Sequence, residues 1–377
     1  MSELQEYFGP HHDDLRRRVR EFVETEIRPY VGEWEKEGQF PRELYHKAGK
    51  AGILGISYPE AWGGSRGDLF SKIACVEELM RCGSAGVVAG LGSLDIAVPP
   101  IFTAGTEEQK ARFVAPVLKG DRIAALGITE PGAGSHVAGI STAAVREGGC
   151  YRVDGGKIYI TSGCRADQLT CAVRTGGEGY KGVSLLIIES STPGYSVSKP
   201  LDKMGWRASD TAQIFFDGCL VPVENLLGQE GLGFYIIMEN FQSERLQLAV
   251  MANMTARLAL GACLESTKKY LGPAGRAPQW LRAKLADMAT LTEASTEFTY
   301  RVAARINAGV NQVKEISMAK NFACTVSDEV TSEALEIQGQ QGILSGSLVE
   351  RLFRDNRILS IGGGTQEIMK EVIWKCL

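Results

Sequence analysis

Between about residue 123 and residue 233 the chain changes its periodicity, and that switch constrains the fold more than any other feature of its 377 residues. Before it, apolar residues recur at helical spacing. In DDLRRRVREFVETEIRPYVGEW (13–34), Leu15, Val19, Phe22 and Val23 fall on one face at i, i+4, i+7 and i+8. Pro29 kinks or shortens the end of that helix. Pro41, Pro59, Gly63–Gly64 and Gly92 break up the rest, and Thr106 followed by Glu108 and Gln109 reads as a helix start. Inside the switch the runs are short and β-rich: 123–129 (IAALGIT), 151–160 (YRVDGGKIYI), 168–175, 182–189 (GVSLLIIE) and 212–217 (AQIFFD), separated by Gly, Asp, Ser and Pro clusters. No stretch long enough for a helical crossover lies between them, so a small antiparallel sheet is expected and a parallel dinucleotide-binding sheet is disfavoured. After the switch, 244–263 (ERLQLAVMANMTARLALGAC) is apolar nearly all round, as in a helix buried on several sides. Helical runs follow at 279–306, 313–338 and 346–358, with breaks at Gly342 and Gly362–Gly364. The expectation is an α+β chain in three parts: an N-terminal α-helical domain (1–122), a middle antiparallel β domain (123–233) and a C-terminal four-helix bundle (234–377).

Composition narrows the chemistry. The nine cysteines are irregularly spaced and contain no CxxC pair, as expected for reduced thiols in a cytoplasmic protein rather than a disulfide framework or a zinc site. The four histidines, His11, His12, His46 and His136, build no HExxH-type cluster, so no metal site is expected and triad hydrolysis is disfavoured. A net charge of −4 carries no footprint for nucleic acid. No apolar run approaches the ~20 residues of a membrane span, and the first residues lack the apolar core of a secretory signal. Any catalysis then falls to a carboxylate or an organic cofactor.

Four segments carry candidate chemistry. Gly127–Ser135 (GITEPGAGS) is a glycine-rich loop with hydroxyls after a β run; it is either an ordinary turn or a place where backbone N–H groups approach a ligand. Lys157–Gly163 (KIYITSG) reads as a strand ending in a hydroxyl pair, or as a plain edge strand. Glu244, beside Arg245, is expected to open a strongly apolar helix. A buried Glu there is either one half of a structural ion pair or a general base with a raised pKa. Ser360–Thr365 (SIGGGT) is a helix cap and turn or a backbone-lined ligand contact.

Taken together, RELYHKAGKAGILGISYPEAWGG, GTEEQK, GITEPGAGS, GGKIYITSG, KMGWRASDTAQIFFDGCLVPVENLLG, ERL, KLADM and IGGGTQEIMKEV resemble, in order and spacing, the acyl-CoA dehydrogenase flavoprotein family along nearly the whole chain. The resemblance implies the same α–β–α division. It also implies FAD, an acyl-CoA substrate, an electron-transferring flavoprotein as electron acceptor, a role in fatty acid β-oxidation and a homotetramer or homodimer. Leu126, Ile128, Thr129, Gly134 and Ser135 would then contact FAD, with Ser135 also near the CoA arm. Tyr159, Ile160 and Thr161 would lie beside it, Thr161 near flavin N5. Thr365 and Glu367 would approach its adenosine or ribityl end, and Gln242, Arg245 and Gly364 would border the thioester and CoA.

Many members place the catalytic Glu in a Y-E-G-T segment. That segment here is Gly362–Thr365, so the position falls on Gly363, which keeps only a backbone N–H for the thioester oxygen. The long-chain and isovaleryl branches instead carry the base at the position of Glu244. The resemblance also departs at contacts to the FAD of a neighbouring subunit. An expected Arg-x-x-Phe-Gly becomes Lys268 with Leu271–Gly272, and the nearby Gln is Gln279. A Gln-x-x-Gly-Gly-x-Gly becomes Glu336, Gly339, Gln340 and Gly342. His136 stands where an Asp is usual. Three functions fit this pattern: an active acyl-CoA dehydrogenase forming a trans-2-enoyl-CoA, a weakly catalytic or non-catalytic subunit of a heteromer, and an oxygen-using oxidase or monooxygenase of the same type. Glu244 argues against the last.

Overall fold

The computed structural model describes residues 7–268, 271 and 276–377. Its first part is helical: α1 (Pro10–Phe22), α2 (Val31–Glu37), α3 (Glu43–Lys50), α4 (Leu69–Met80), α5 (Ala85–Leu91), α6 (Leu94–Ala97), α7 (Pro99–Ala104), α8 (Glu107–Phe113) and α9 (Ala115–Leu118). The face read from sequence is the buried one: Leu15, Val19, Phe22 and Val23 all point into the core. Before Pro29 the helix widens into a π segment, Val23–Ile27, and ends in a turn, as expected where a proline cannot donate to the helix ladder. Thr106 caps α8 in a reciprocal box, its Oγ1 accepting from the Gln109 N–H and Gln109 Oε1 accepting from its own N–H.

The middle part is a seven-stranded sheet. Its strands are β1 (Ala124–Gly127), β2 (Ala143–Glu147), β3 (Cys150–Thr161), β4 (Gln168–Arg174), β5 (Val183–Glu189), β6 (Tyr195–Val197) and β7 (Thr211–Pro222). They run in the order β1-β4-β2-β3-β7-β6, with β5 on β4. Most pairs are antiparallel; β1 lies parallel to β4, and β2 touches β4 in parallel at Ala143–Arg174. The sequence did not announce β2 or β6, since both are short and mostly exposed. By contrast β4 and β5 are buried along nearly their whole length and read as continuous apolar runs.

The last part holds α10 (Gly233–Thr267), α11 (Gln279–Asn307), α12 (Val313–Gln338), α13 (Leu348–Asn356) and α14 (Gln366–Lys375). Here one expectation is corrected. Glu244 does not open its helix; α10 begins at Gly233, about three turns earlier. The first turns mix Gly233 and polar residues such as Glu239, Asn240 and Gln242 with the apolar ones, so they lack the continuous apolar character that marks 244–263. Among the described residues α10 alone is by itself long and apolar enough to cross a membrane, but two-thirds of its most apolar stretch (67%) is buried inside the protein. Ala252, Ala256 and Ala259 on α10 have no exposed surface, which lets neighbouring helices approach closely. Asn253 ties α10 to α11: its Nδ2 donates to Thr299 Oγ1 at 2.9 Å and its Oδ1 accepts from Ser295 Oγ at 2.6 Å. This helix carries Glu244, so its position is fixed by packing rather than by a loop.

Candidate active site

Where the three parts meet, they enclose a cavity of about 570 Å³. The middle part supplies Leu126, Ile128, Thr129, Gly134 and Ser135 from the glycine loop, and Tyr159, Ile160 and Thr161 from the end of β3. The C-terminal part supplies Glu244 and Arg245 from α10 and the turn Gly362–Thr365 before α14. Sequence-expected residues from three distant stretches therefore converge.

Glu244 stands partly buried in this wall and makes no hydrogen bond or ion pair among the described residues. The ion-pair reading thus gives way: Arg245 is its neighbour in sequence but donates from Nε to the Gly363 carbonyl at 3.1 Å. Burial raises the Glu244 carboxyl to about pH 7, against the smaller opposing pull of Arg245 and Lys320. A carboxyl that titrates near neutrality and has no partner is free to take up a proton.

The glycine turn faces this carboxyl. Gly363 and Gly364 have φ of +64° and +101°, the left-handed side that favours glycine. A Cβ at Gly363 would lie 2.7 Å from Leu248 Cδ1 and 3.6 Å from Glu244 Oε1. Position 363 and the Glu244 carboxylate thus reach the same spot from two elements. The turn is held from behind by two buried cations: Arg245 on the Gly363 carbonyl and the fully buried Lys320 on the Gly364 carbonyl. The N–H groups of Gly363 and Gly364 donate to nothing among the described residues and remain available. Lys320 was missed from sequence, where a lysine inside a helix reads as solvated; its partner lies 44 residues away.

Behind the glycine loop that forms the opposite wall lies a buried pair that does not itself line the cavity. Lys157, with no exposed surface, donates to Glu130 Oε1 at 2.7 Å and to the Ile128 carbonyl at 3.2 Å. Glu130 also accepts from the Ser141 N–H and hydroxyl and from the Thr142 N–H. Burial would raise its carboxyl, but Lys157 and these donors outweigh burial and hold it down at about 2. The glycine loop is thereby pinned, while the N–H groups of Thr129, Gly134 and Ser135 make no hydrogen bond among the described residues. Just beyond, the ladder of β3 on β7 slips between Lys157 and Ile160, and Tyr159 on that bulge has φ +61° and is 66% exposed. A non-glycine residue in that conformation is held by its surroundings and re-aims its side chain at the cavity.

Comparison with known proteins decides what this arrangement belongs to. The acyl-CoA dehydrogenase N-terminal, middle and C-terminal domains match residues 9–121, 125–219 and 231–377. This chain belongs to the acyl-CoA dehydrogenase family. It is 38% identical over 367 residues to an acyl-CoA dehydrogenase of Bacillus subtilis, covering 96% of this chain and 97% of that one. A probable acyl-CoA dehydrogenase from Mycobacterium abscessus superimposes with a TM-score of 0.95 at 47% identity, covering 98% and 99% of the two chains. An acyl-CoA dehydrogenase from Bacillus anthracis, solved in complex with FAD, superimposes with a TM-score of 0.91 at 29% identity, covering 98% of this chain and 67% of that one.

The family is FAD-dependent, and the cavity of this acyl-CoA dehydrogenase relative fits the group. Free N–H donors at Thr129, Gly134 and Ser135 suit the carbonyls and ring nitrogens of a flavin, and a Cβ at Gly134 would meet nothing within 4 Å, so space is open there. Leu126, Ile128 and Ile160 offer apolar surface for its faces.

Other expected residues lie elsewhere. Gln242 does not line the cavity; its Nε2 reaches the Met238 carbonyl at 3.4 Å and its Oε1 is buried without a partner. Glu367 is exposed in the first turn of α14, and the Thr365 hydroxyl, though Thr365 lines the cavity, caps that helix through the Ile368 N–H. Lys268, Gln279, Glu336, Gly339 and Gln340 come together at one exposed end of the bundle, from the C-terminus of α10, the N-terminus of α11 and the C-terminus of α12. Gly272 lies outside the described residues. At that end Lys284 pairs with Glu333 and, at 3.3 Å, with Glu336, so the acidic substitution there has a cation beside it. Among the described residues His11, His12 and Asp68 bring ligand atoms within 4.8 Å of one another. Both ring nitrogens of His12 are engaged, with the Gly9 N–H and with Asp68, and Asp68 caps α4.

Proposed function

We propose that this protein is an FAD-dependent acyl-CoA dehydrogenase that converts an acyl-CoA thioester to the trans-2-enoyl-CoA, with Glu244 as the base. The observation that carries this reading is the unpaired Glu244 carboxyl, raised to about pH 7, facing the free N–H groups of a glycine turn. Glu244 removes the α proton. Gly363, with Gly364 beside it, donates its N–H to the thioester oxygen, where negative charge develops as the proton leaves. Arg245 and Lys320 act as positioning residues: by holding the Gly363 and Gly364 carbonyls they fix the two peptides that carry the Gly364 and Thr365 N–H groups, and with them the shape of the turn. A bound FAD would supply the acceptor for the β hydride, whose departure completes the double bond. Leu126–Ser135 and Tyr159–Thr161 would hold the flavin, with Ser135 also bordering the CoA arm and Thr365 and Glu367 near the adenosine or ribityl end.

Reoxidation falls to an electron-transferring flavoprotein, and the placement supports a homotetramer in which Lys268, Gln279, Glu336, Gly339 and Gln340 meet a neighbour's FAD. The pairing of Glu336 with Lys284 weighs against a chain unfit for that contact, hence against the non-catalytic reading. Nine free thiols fit a reducing, cytoplasmic setting. The test is anaerobic addition of acyl-CoA to the purified homomer. A yellow protein whose flavin absorbance bleaches supports the reading. A colourless homomer, or a yellow one that no acyl-CoA bleaches, contradicts it, and oxygen uptake during turnover would favour the oxidase reading.

A further inference from the structure

The cavity has a second polar feature that the chemistry at Glu244 does not use. Its N-terminal wall is apolar, formed by Ile53, Leu54, Val76, Leu79 and Leu91, and suits an acyl chain. Set into it are Lys72 of α4 and Asp95 of α6, with Nζ and Oδ1 3.3 Å apart. Both are partly buried, at 16% and 22% side-chain exposure, and both line the cavity. A charged pair in an apolar wall is costly unless its hydrogen-bonding capacity is filled. Among the described residues it is not filled. The ammonium has three N–H donors; one meets Asp95, and Nζ stands 5.4 Å from the centre of the Tyr58 ring. Asp95 Oδ2 accepts no hydrogen bond among the described residues, and the Tyr58 hydroxyl behind the pair is buried without a partner.

We infer that the pair is a recognition site for a hydroxyl group carried on the acyl chain of the substrate. This rests on the acyl-CoA reading above and narrows it to a substrate class. The sign of the site decides the chemistry. Lys72 and Asp95 together are neutral, so a carboxylate on the acyl chain would sit against Asp95 and an ammonium against Lys72, each a like-charge contact. A ketone could accept from Lys72 but could not satisfy Asp95. A hydroxyl does both, donating to Asp95 Oδ2 and accepting from a free Lys72 N–H. An unsubstituted chain leaves both groups unmet, and such sites reject analogues that lack the polar group.

The test compares kcat/KM of the holoenzyme for straight-chain acyl-CoAs of four to ten carbons with their ω-hydroxy counterparts. The expected result is a preference of about tenfold or more for the hydroxylated substrate at one or more chain lengths. In the Lys72→Met/Asp95→Leu double variant, which removes both charges and leaves neither unpaired, that ratio falls below one. A wild-type preference for the plain chain at every length overturns the inference, and so does a ratio that the double variant leaves unchanged. Flavin bleaching separates the two levels. Bleaching by plain acyl-CoAs with no hydroxyl preference removes this inference alone, whereas no bleaching by any acyl-CoA removes the dehydrogenase reading and this inference with it.

Discussion

Two shielded glutamates belong to the elements that build the cavity, Glu244 lining it and Glu130 set behind the glycine loop, and the two are held in opposite states. Glu130, in the glycine loop, has Lys157 and three further donors around it and stays ionised down to about pH 2. Glu244, on α10, has no partner and is held up near pH 7. Burial pushes both carboxyls the same way, so the difference comes from what surrounds them. Glu130 uses its charge to fix a loop; Glu244 keeps its charge available for chemistry. The cations nearest the second, Arg245 and Lys320, are turned onto backbone carbonyls instead of onto Glu244.

The comparison breaks most visibly at Lys157. Lys157→Met leaves Glu130 buried without its counter-charge and should lower stability by about 3–5 kcal/mol, read as a fall in thermal midpoint with loss of bound flavin. The Glu130→Gln/Lys157→Met double variant should recover much of that. If the single variant melts like the wild type, Glu130 does not depend on Lys157. On the other wall, Gly363→Ala puts a Cβ 2.7 Å from Leu248 at a φ of +64° and should cost about 1–3 kcal/mol, together with a sharp loss of flavin reduction as the turn shifts. An unchanged turnover would show that the turn is not part of the site.

The pH dependence of stability should distinguish the two glutamates by sign. Glu130 has its carboxyl depressed when folded, so its contribution is present above about pH 4.5 and is lost as pH falls toward 2. Glu244 has its carboxyl raised, so the folded state keeps a proton the unfolded chain has lost, and stability declines as pH rises from 4.5 to about 7. Glu244→Gln should remove that decline and leave the acid limb intact. Chemical denaturation across this range checks both. The smallest effect is expected at the exposed end of the bundle, where Glu336→Gln should change subunit stability by less than about 1 kcal/mol, because its pairing with Lys284 is solvent-exposed.

What could be read from the sequence follows the range of the forces involved. The glycine loop 127–135 and the turn 362–365 were legible because glycine clusters mark unusual backbone wherever they occur. Glu244 was legible as a charge inside an apolar run. The start of its helix was not, because the turns from Gly233 mix polar and apolar residues. Nor could the sequence settle whether Glu244 was paired, since that depends on where Arg245 points. The partners that shape the site are far apart in the chain: Lys320 and the Gly364 carbonyl by 44 residues, Lys157 and Glu130 by 27, Lys72 and Asp95 by 23. Periodicity has no access to such pairings, and only the packing of the three parts reveals them.

The central claim is that Glu244 removes the α proton. Anaerobic stopped-flow mixing of the flavin-loaded protein with an acyl-CoA, for wild type and Glu244→Gln, tests it most directly. The account predicts that the variant still binds FAD and acyl-CoA but reduces the flavin about 10²–10⁴ times more slowly, and that the wild-type kcat/KM rises through about pH 7. Flavin reduction by Glu244→Gln at the wild-type rate would contradict it.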